Sequence, residues 1–165
     1  MKNYTSKEIA DQIQTHWRQV CTPGHEAAIY LYRVRDLSFA RSCETLKSFD
    51  ISVSEFDILS TLRRSTKPYI LSPSELQRSL LITSGGLTKL LYQLEADGLI
   101  SRSMHASDKR SKLVHLTAEG KKKVELAMTA IQQTLQAWLN EAYNDQELKQ
   151  LQCLLSKAAA VLERK

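Results

Sequence analysis

Among its 165 residues the chain has no apolar run long enough to cross a bilayer, a task that takes about 20 consecutive apolar residues in a helix. Met1-Lys2-Asn3-Tyr4 leads into polar sequence rather than a signal-peptide core, so no secretory leader is expected. Cysteine is scarce: Cys21, Cys43 and Cys153 are odd in number and scattered. That usage fits a reducing compartment, the cytoplasm, and offers no metal-ligand spacing. The histidines, His16, His25, His105 and His115, have no such spacing either. Gly85-Gly86 lacks the Gly-x-Gly-x-x-Gly pattern of a dinucleotide-binding turn. With no hydrolase or transferase constellation in sight, no enzyme activity, metal or cofactor is expected.

What is present is an ordinary apolar fraction, 42%, and a formal charge of +5. The length allows one domain, or one domain with dimerisation arms. The charge is unevenly placed. Residues 60–125 hold twelve Lys and Arg against six Asp and Glu, a net of +6 that leaves the remainder at -1. Positive charge gathered on one segment is what attraction to nucleic-acid phosphate requires.

That segment contains the most informative stretch, Ser72 to Thr117. Ser72, Pro73 and Glu75 form a capping-box helix start, and the short helix they open runs to about Leu80. Leu81-Ile82 makes a turn, and Thr83 or Ser84 caps a second helix. Leu87, Leu90, Leu91 and Leu94 line one face of that helix, while Thr88, Lys89, Tyr92 and Gln93 fall largely on the others. Gly98 stops it. Leu99–Met104 and Lys112–Leu116 read as two strands joined by the polar loop 105–111. Helix, turn, helix and basic hairpin amount to a winged helix-turn-helix. Its second helix is shaped to enter a DNA major groove, and its hairpin to reach the neighbouring backbone or minor groove.

The flanks are helical. Thr5-x-x-Glu8 opens a first amphipathic helix bearing Ile9, Ile13, Trp17 and Val20, expected to end near Pro23-Gly24. A second helix, from about His25 to Ser48, has Ala28, Leu31, Val34, Leu37/Ser38, Arg41 and Leu46 as its inner rhythm. Ser52-x-x-Glu55 opens a helix with Phe56, Leu59 and Leu62 facing inward, and Arg63-Arg64 at its end suits the negative pole of the helix dipole. Residues 65–70 read as a loop. Beyond the wing, Thr117 caps a long helix with an apolar stripe (Val124, Ala127, Met128, Ile131, Leu135, Trp138, Leu139). After a break at Tyr143-Asn144-Asp145, a last helix carries Leu148, Leu151, Leu154/Leu155, Ala158, Val161 and Leu162. Cys43 and Cys153, inside helical patterns, are expected to be buried fillers.

The C-terminal stripes exceed what one small domain can cover, and burial stabilises by about 25 cal/mol per Å². A two-fold homodimer is therefore expected. The fold class is mainly α with a small β wing. Residues 1–50 and 119–165 are assigned to an all-helical dimerisation region, and 51–118 to the winged helix-turn-helix. Two reading heads imply a pseudo-palindromic double-stranded site, with half-sites roughly 34–36 Å apart.

On Leu71–Leu76, Ser84–Thr88, Leu94–Ile100, Asp108–Arg110 and Leu116–Gly120, the chain resembles the MarR family of bacterial transcription regulators, a likeness running from about His25 to the C-terminus. The order and spacing of the pieces carry it. The resemblance implies homodimeric DNA binding, mostly as a repressor, with release of DNA by small phenolic or other aromatic ligands or by oxidants. Arg110 is then expected in the minor groove or between phosphates, with Asp108 orienting it and Lys109 and Lys112 on the same wing. Ser84, Thr88 and Lys89 are assigned to the major groove, and Ser72, Ser74 and Thr83 to helix starts near phosphate. Gln77 and Arg78 are placed at the backbone. Gly85 and Gly86 allow close approach of the helix N-terminus to a phosphate, at about 1 kcal/mol of helix propensity each.

The extra N-terminal helix is similar to that of a subgroup with urate-responsive members. There the ligand is held by a first-helix tryptophan, an aspartate in a Glu-Phe/Trp-Asp segment and two arginines. Trp17, Asp57 and Arg102 stand at matching places, while Leu90 replaces the recognition-helix arginine. That substitution favours a more apolar aromatic carboxylate or phenol over urate, in a pocket between each reading head and the dimerisation helices. The alternative mode of control is oxidation of Cys21, with Tyr30 and Tyr32 nearby in sequence. A winged helix serving as a protein-interaction module is the rival outside DNA binding.

Overall fold

The computed structural model describes residues 3–80, 84–104 and 112–164, with only the backbone given for Ser84. The chain divides into two compact units, residues 1–44 and 45–165.

In the first unit, α1 (Ser6–His16) starts with the Thr5–Glu8 capping box. The helix ends earlier than the apolar spacing implies. A single 3-10 turn, Arg18–Val20, follows it, and Pro23 opens the next helix, α2 (Pro23–Lys47), instead of closing the first. The Thr22 hydroxyl accepts the His25 N–H at 3.1 Å, so Thr22 is the N-cap and Pro23 the first helical residue. Proline has no N–H to waste there. Arg33 ties the start of the unit to α2 by donating to the Tyr4 carbonyl at 2.9 Å. The supposed inner rhythm of α2 is open to solvent at Leu31, Val34 and Leu37, and none of the described residues 3–44 is buried.

The second unit has a continuous core. The Ser52–Glu55 capping box starts α3 (Val53–Arg64), which buries Phe56, Ile58, Leu59 and Leu62. This helix is the hub of the unit and packs against the two helices that follow it, the second wing strand and the long helix after the wing. Around it, α4 (Pro73–Ser79) contributes Leu76, and α5 (Ser84–Ala96) contributes Leu87, Leu91 and Leu94. Completely burying one such leucine contributes about 2 kcal/mol, so the three-and-four spacing of α5 is what seats it. Gly98 adopts φ +70°, letting the Gly98 and Leu99 N–H groups bond back to the carbonyls of Glu95 and Leu94 at 3.0 and 2.9 Å. This doubled closure ends α5 and turns the chain into the wing.

The wing strands are β2 (Ile100–Met104) and β3 (Lys112–Leu116), preceded in sequence by the two-residue strand β1 (Ile70–Leu71). The sheet is antiparallel in the order β1-β3-β2. Ile70, expected to end a loop, is thus strand together with Leu71, because β3 supplies their partners: Ile70 faces His115 and Leu71 faces Val114. Thr117 caps α6 (Ala118–Ala142) by accepting the Gly120 N–H. Asn144 caps α7 (Asp145–Leu162), which has no buried residue. Cys153, expected inside, is exposed on α7, and Cys43 is half-buried. No described helix is long and apolar enough to cross a membrane.

Candidate nucleic-acid interface

The pair α4–α5 is set by chemistry at its first turn. Ser72 Oγ accepts the Glu75 N–H at 3.3 Å, and Glu75 Oε2 accepts the Ser72 N–H at 2.7 Å. Those bonds hold the Glu75 carboxyl below the usual carboxylate range, the backbone bond first. The Ser72 hydroxyl also donates to Glu75 at 2.7 Å, so it is engaged in the cap. Ser74, Gln77 and Arg78 lie on the exposed side of α4, opposite buried Leu76.

With Leu87, Leu91 and Leu94 turned inward, α5 presents Gly85, Thr88, Lys89, Tyr92 and Gln93 to solvent. A side chain built at Gly85 would meet nothing within 4 Å, so the helix is open at that position. Leu90 is partly buried against the core. The structure brings Thr88 and Lys89 onto one face with Tyr92, as the spacing requires. Lys112 is exposed at the start of β3. Thr83, Asp108, Lys109 and Arg110 lie outside the described residues, as does the turn at Leu81-Ile82.

Glu95 carried no assignment from the sequence, and Tyr92 only a place on the outer face. The Arg102 guanidinium stands 4.2 Å from the Tyr92 ring centroid. Its Nε donates to Glu95 Oε2 at 2.7 Å, and Nη2 donates to the same oxygen. Arg102 pushes the Glu95 carboxyl below its ordinary range, through the hydrogen bond first and its charge second, with Lys112 adding to the effect. The only sequence signal was i, i+3 spacing of an aromatic and an acid, one turn before an arginine-bearing strand.

The four residues assigned to a ligand occupy different settings. Arg102 borders a cavity of about 240 Å³ with Glu95, Ser103, Met104 and Lys112; none of Trp17, Asp57 and Leu90 shares it. Trp17 is 61% exposed in the first unit. Asp57 has an open outer edge, yet burial by the surrounding protein raises its carboxyl pKa, against the opposing charge of Arg64.

A different groove lies between α3 and α6. It measures about 360 Å³ and is lined by Ser60, Arg63, Arg64, Val124, Glu125, Met128 and Thr129. Arg63 is held there: its Nε donates to Glu125 at 2.6 Å, and its guanidinium lies 5.0 Å from the Tyr69 ring centroid. The groove thus has apolar walls and a guanidinium rim. The Arg63-Arg64 pair at the helix end was its one trace in the sequence.

Comparison with known proteins agrees with this architecture. A sequence model of the MarR family matches residues 51–112. The transcriptional regulator PecS of Dickeya dadantii (strain 3937) is 40% identical over 77 residues, 47% of this chain and 46% of PecS; the alignment thus spans just under half of that regulator. The multiple antibiotic resistance protein MarR of Escherichia coli (strain K12) is 31% identical over 114 residues, 69% of this chain and 77% of that protein. Among solved structures, the Staphylococcus aureus MepR–DNA complex superposes with a TM-score of 0.67 at 28% identity, covering 80% of this chain and 96% of MepR. NadR in complex with 4-hydroxyphenylacetate gives a TM-score of 0.62 at 25% identity, covering 79% and 90%. With a helix pair opened by the Ser72 cap, a small antiparallel wing and these relatives, the chain belongs to the MarR family of winged-helix regulators of transcription that bind DNA.

Proposed function

We propose that the chain is a homodimeric repressor that binds a pseudo-palindromic operator and is released by a small aromatic acid or phenol. The observation that carries the DNA half is the polar face of α5, where Thr88 and Lys89 sit opposite the buried leucines on a helix whose N-terminal end is unobstructed at Gly85. Thr88 and Ser84 read base edges in the major groove. Lys89 lies with them on the major-groove face, Gln77, Arg78 and Lys112 meet phosphates, and Arg110, with Asp108 beside it, reaches the minor groove from the wing. Ser74 contributes from the α4 start, whereas Ser72 serves mainly as the cap.

Pairing is supported by exposed apolar side chains on α7, Leu154 at 63% and Val161 at 60% among them. On this reading the helices of residues 1–50 and 119–165 join two copies. The effector half rests on the α3–α6 groove rather than on Arg102, whose guanidinium is already held by Glu95. Arg64 at the rim would meet a carboxylate, with Val124 and Met128 against the ring. Because α3 also packs on α4 and α5, a ligand wedged beside it would shift the reading head. NadR, solved with 4-hydroxyphenylacetate, supports a phenolic acid as the ligand class.

The test is a gel-shift titration on a fragment selected from a random pool, with and without salicylate-like acids, phenols and urate, beside a thermal-shift screen. Binding to the selected fragment should exceed binding to random DNA by about a thousandfold or more, and Arg110→Ala should weaken it at least tenfold, on the order of 1.4 kcal/mol. An aromatic acid should stabilise the wild type and release DNA, and Arg64→Ala should blunt both effects. If none of the compounds binds, the effector half fails. Exposure of Cys21 favours oxidant control as the second reading, which release by peroxide in the wild type but not in Cys21→Ser would establish.

A further inference from the structure

The contact of Glu95 with Arg102 and Tyr92 joins the recognition helix to the wing at mid-strand. Along β2, Ile100, Arg102 and Met104 share one face by strand alternation. Ile100 is buried and Met104 is 57% exposed. The Arg102 side chain between them is 15% exposed and Glu95 35%, against 38% and 43% for Arg63 and Glu125. Apolar burial along β2 itself therefore ends at Ile100, while on β3 it reaches Val114, the fully buried partner of Arg102; the Arg102 fork fixes the β2 side of that pair to α5. A hairpin hinging by about 10° at the Arg102–Val114 pair would move Met104, about 7 Å away, by roughly 1 Å. That displacement is enough to break any hydrogen bond the hairpin makes to DNA.

We propose that Glu95, Arg102 and Tyr92 form a latch fixing the angle between the recognition helix and the wing, so that both meet DNA in one register. All three are positioning residues: Glu95 presents the carboxylate, Tyr92 the flat platform, and the fork of Arg102 is pinned between them. The latch rests on the DNA-binding reading above. It also places a carboxylate, Glu95, at the C-terminal end of the DNA-reading helix, where negative charge opposes attraction to DNA. On this reading the geometry that Glu95 fixes outweighs that repulsion.

The sign of one substitution decides the matter. Glu95→Gln removes a negative charge near DNA, so an acid with no role but its charge would, when neutralised, tighten binding to operator and random DNA alike. The latch requires the reverse for the operator: affinity falls roughly fivefold or more, while random DNA binds unchanged or tighter. Arg102→Lys keeps the charge but loses the fork and should reproduce the loss, and the double variant should be no worse than either single one. Hydroxyl-radical footprints of both variants on the selected fragment should lose protection at the flanks and keep it at the centre of each half-site. If Glu95→Gln does not fold, judged by its melting curve, Arg102→Lys carries the same test. Full operator affinity in Arg102→Lys, or tighter operator binding in Glu95→Gln, overturns the latch. A wild type that prefers no fragment over random DNA overturns the DNA-binding reading itself, and the latch with it.

Discussion

Gly120 lies so close to Leu99 that a Cβ built on it would stand 2.0 Å from the Leu99 carbonyl oxygen. That approach sets the base of the wing directly on the first turn of α6. The Thr117 hydroxyl reinforces it, facing the Gly98 and Leu99 carbonyls at 2.8 and 3.0 Å, and the Thr117 N–H donates to Leu99 at 3.2 Å. Gly120→Ala should therefore destabilise the fold by about 3 kcal/mol, the upper end of overpacking costs. Urea unfolding followed by circular dichroism measures this, and a loss under about 0.5 kcal/mol, the level of an ordinary surface change, would show that α6 can shift aside freely.

Ser52→Ala and Ser72→Ala each remove one side of a capping box and should cost about 1 kcal/mol. For Ser72 the same variant separates two roles. As a cap, its loss lowers the unfolding midpoint and leaves the salt dependence of DNA binding unchanged. A drop in that salt dependence would mark it instead as a phosphate contact.

Lys89 stands on the exposed face of α5. Lys89→Ala should cost about 1–3 kcal/mol at the operator and relax sequence preference at one position of each half-site, the signature of a lost base-edge contact. A uniform loss across sequences, with the slope of log K against log salt reduced by about 1, would place Lys89 at a phosphate instead.

Asp57 gives a pH-dependent expectation. Its carboxyl pKa is raised in the folded protein, chiefly by burial and against the charge of Arg64. The folded state therefore holds this proton more tightly than the unfolded chain, and the ionised group disfavours folding once pH exceeds the folded value. Asp57→Asn should raise the melting temperature at pH 7. The gain should shrink as pH falls through the raised value and vanish below about 3.9, the ordinary aspartate pKa. An equal gain at pH 7 and pH 3.5 would assign it to something other than desolvation.

On α7, Leu155 is 45% exposed in a helix without a single buried residue. If that face joins two copies, Leu155→Asp should shift the sedimentation coefficient from dimer to monomer at micromolar concentration. A wild type that sediments as a monomer would remove the basis for paired reading heads.

Much of this architecture was legible because its signals act within one helical turn. The capping boxes at Thr5, Ser52 and Ser72 bring together residues three apart, and Gly98 ends α5 through bonds to carbonyls three and five residues from their donors. The leucines of α5 declare their inner face by spacing alone. The same locality misled at Pro23, where a proline reads equally as a stop for one helix or a start for the next; the Thr22 hydroxyl decided for the start.

What spacing could not carry were the contacts made between elements. Ile70–Leu71 becomes a strand only because β3, more than forty residues later, offers its free edge. The groove of Arg64 and Met128 exists only once α3 and α6 are packed, and Arg102 binds Glu95 only because the turn at Gly98 folds β2 back beside α5. A residue's local partners are set by its neighbours in the chain. Which distant charge or ring it meets depends on how the helices and strands pack, and here that packing directed Arg102 toward Glu95 and Tyr92.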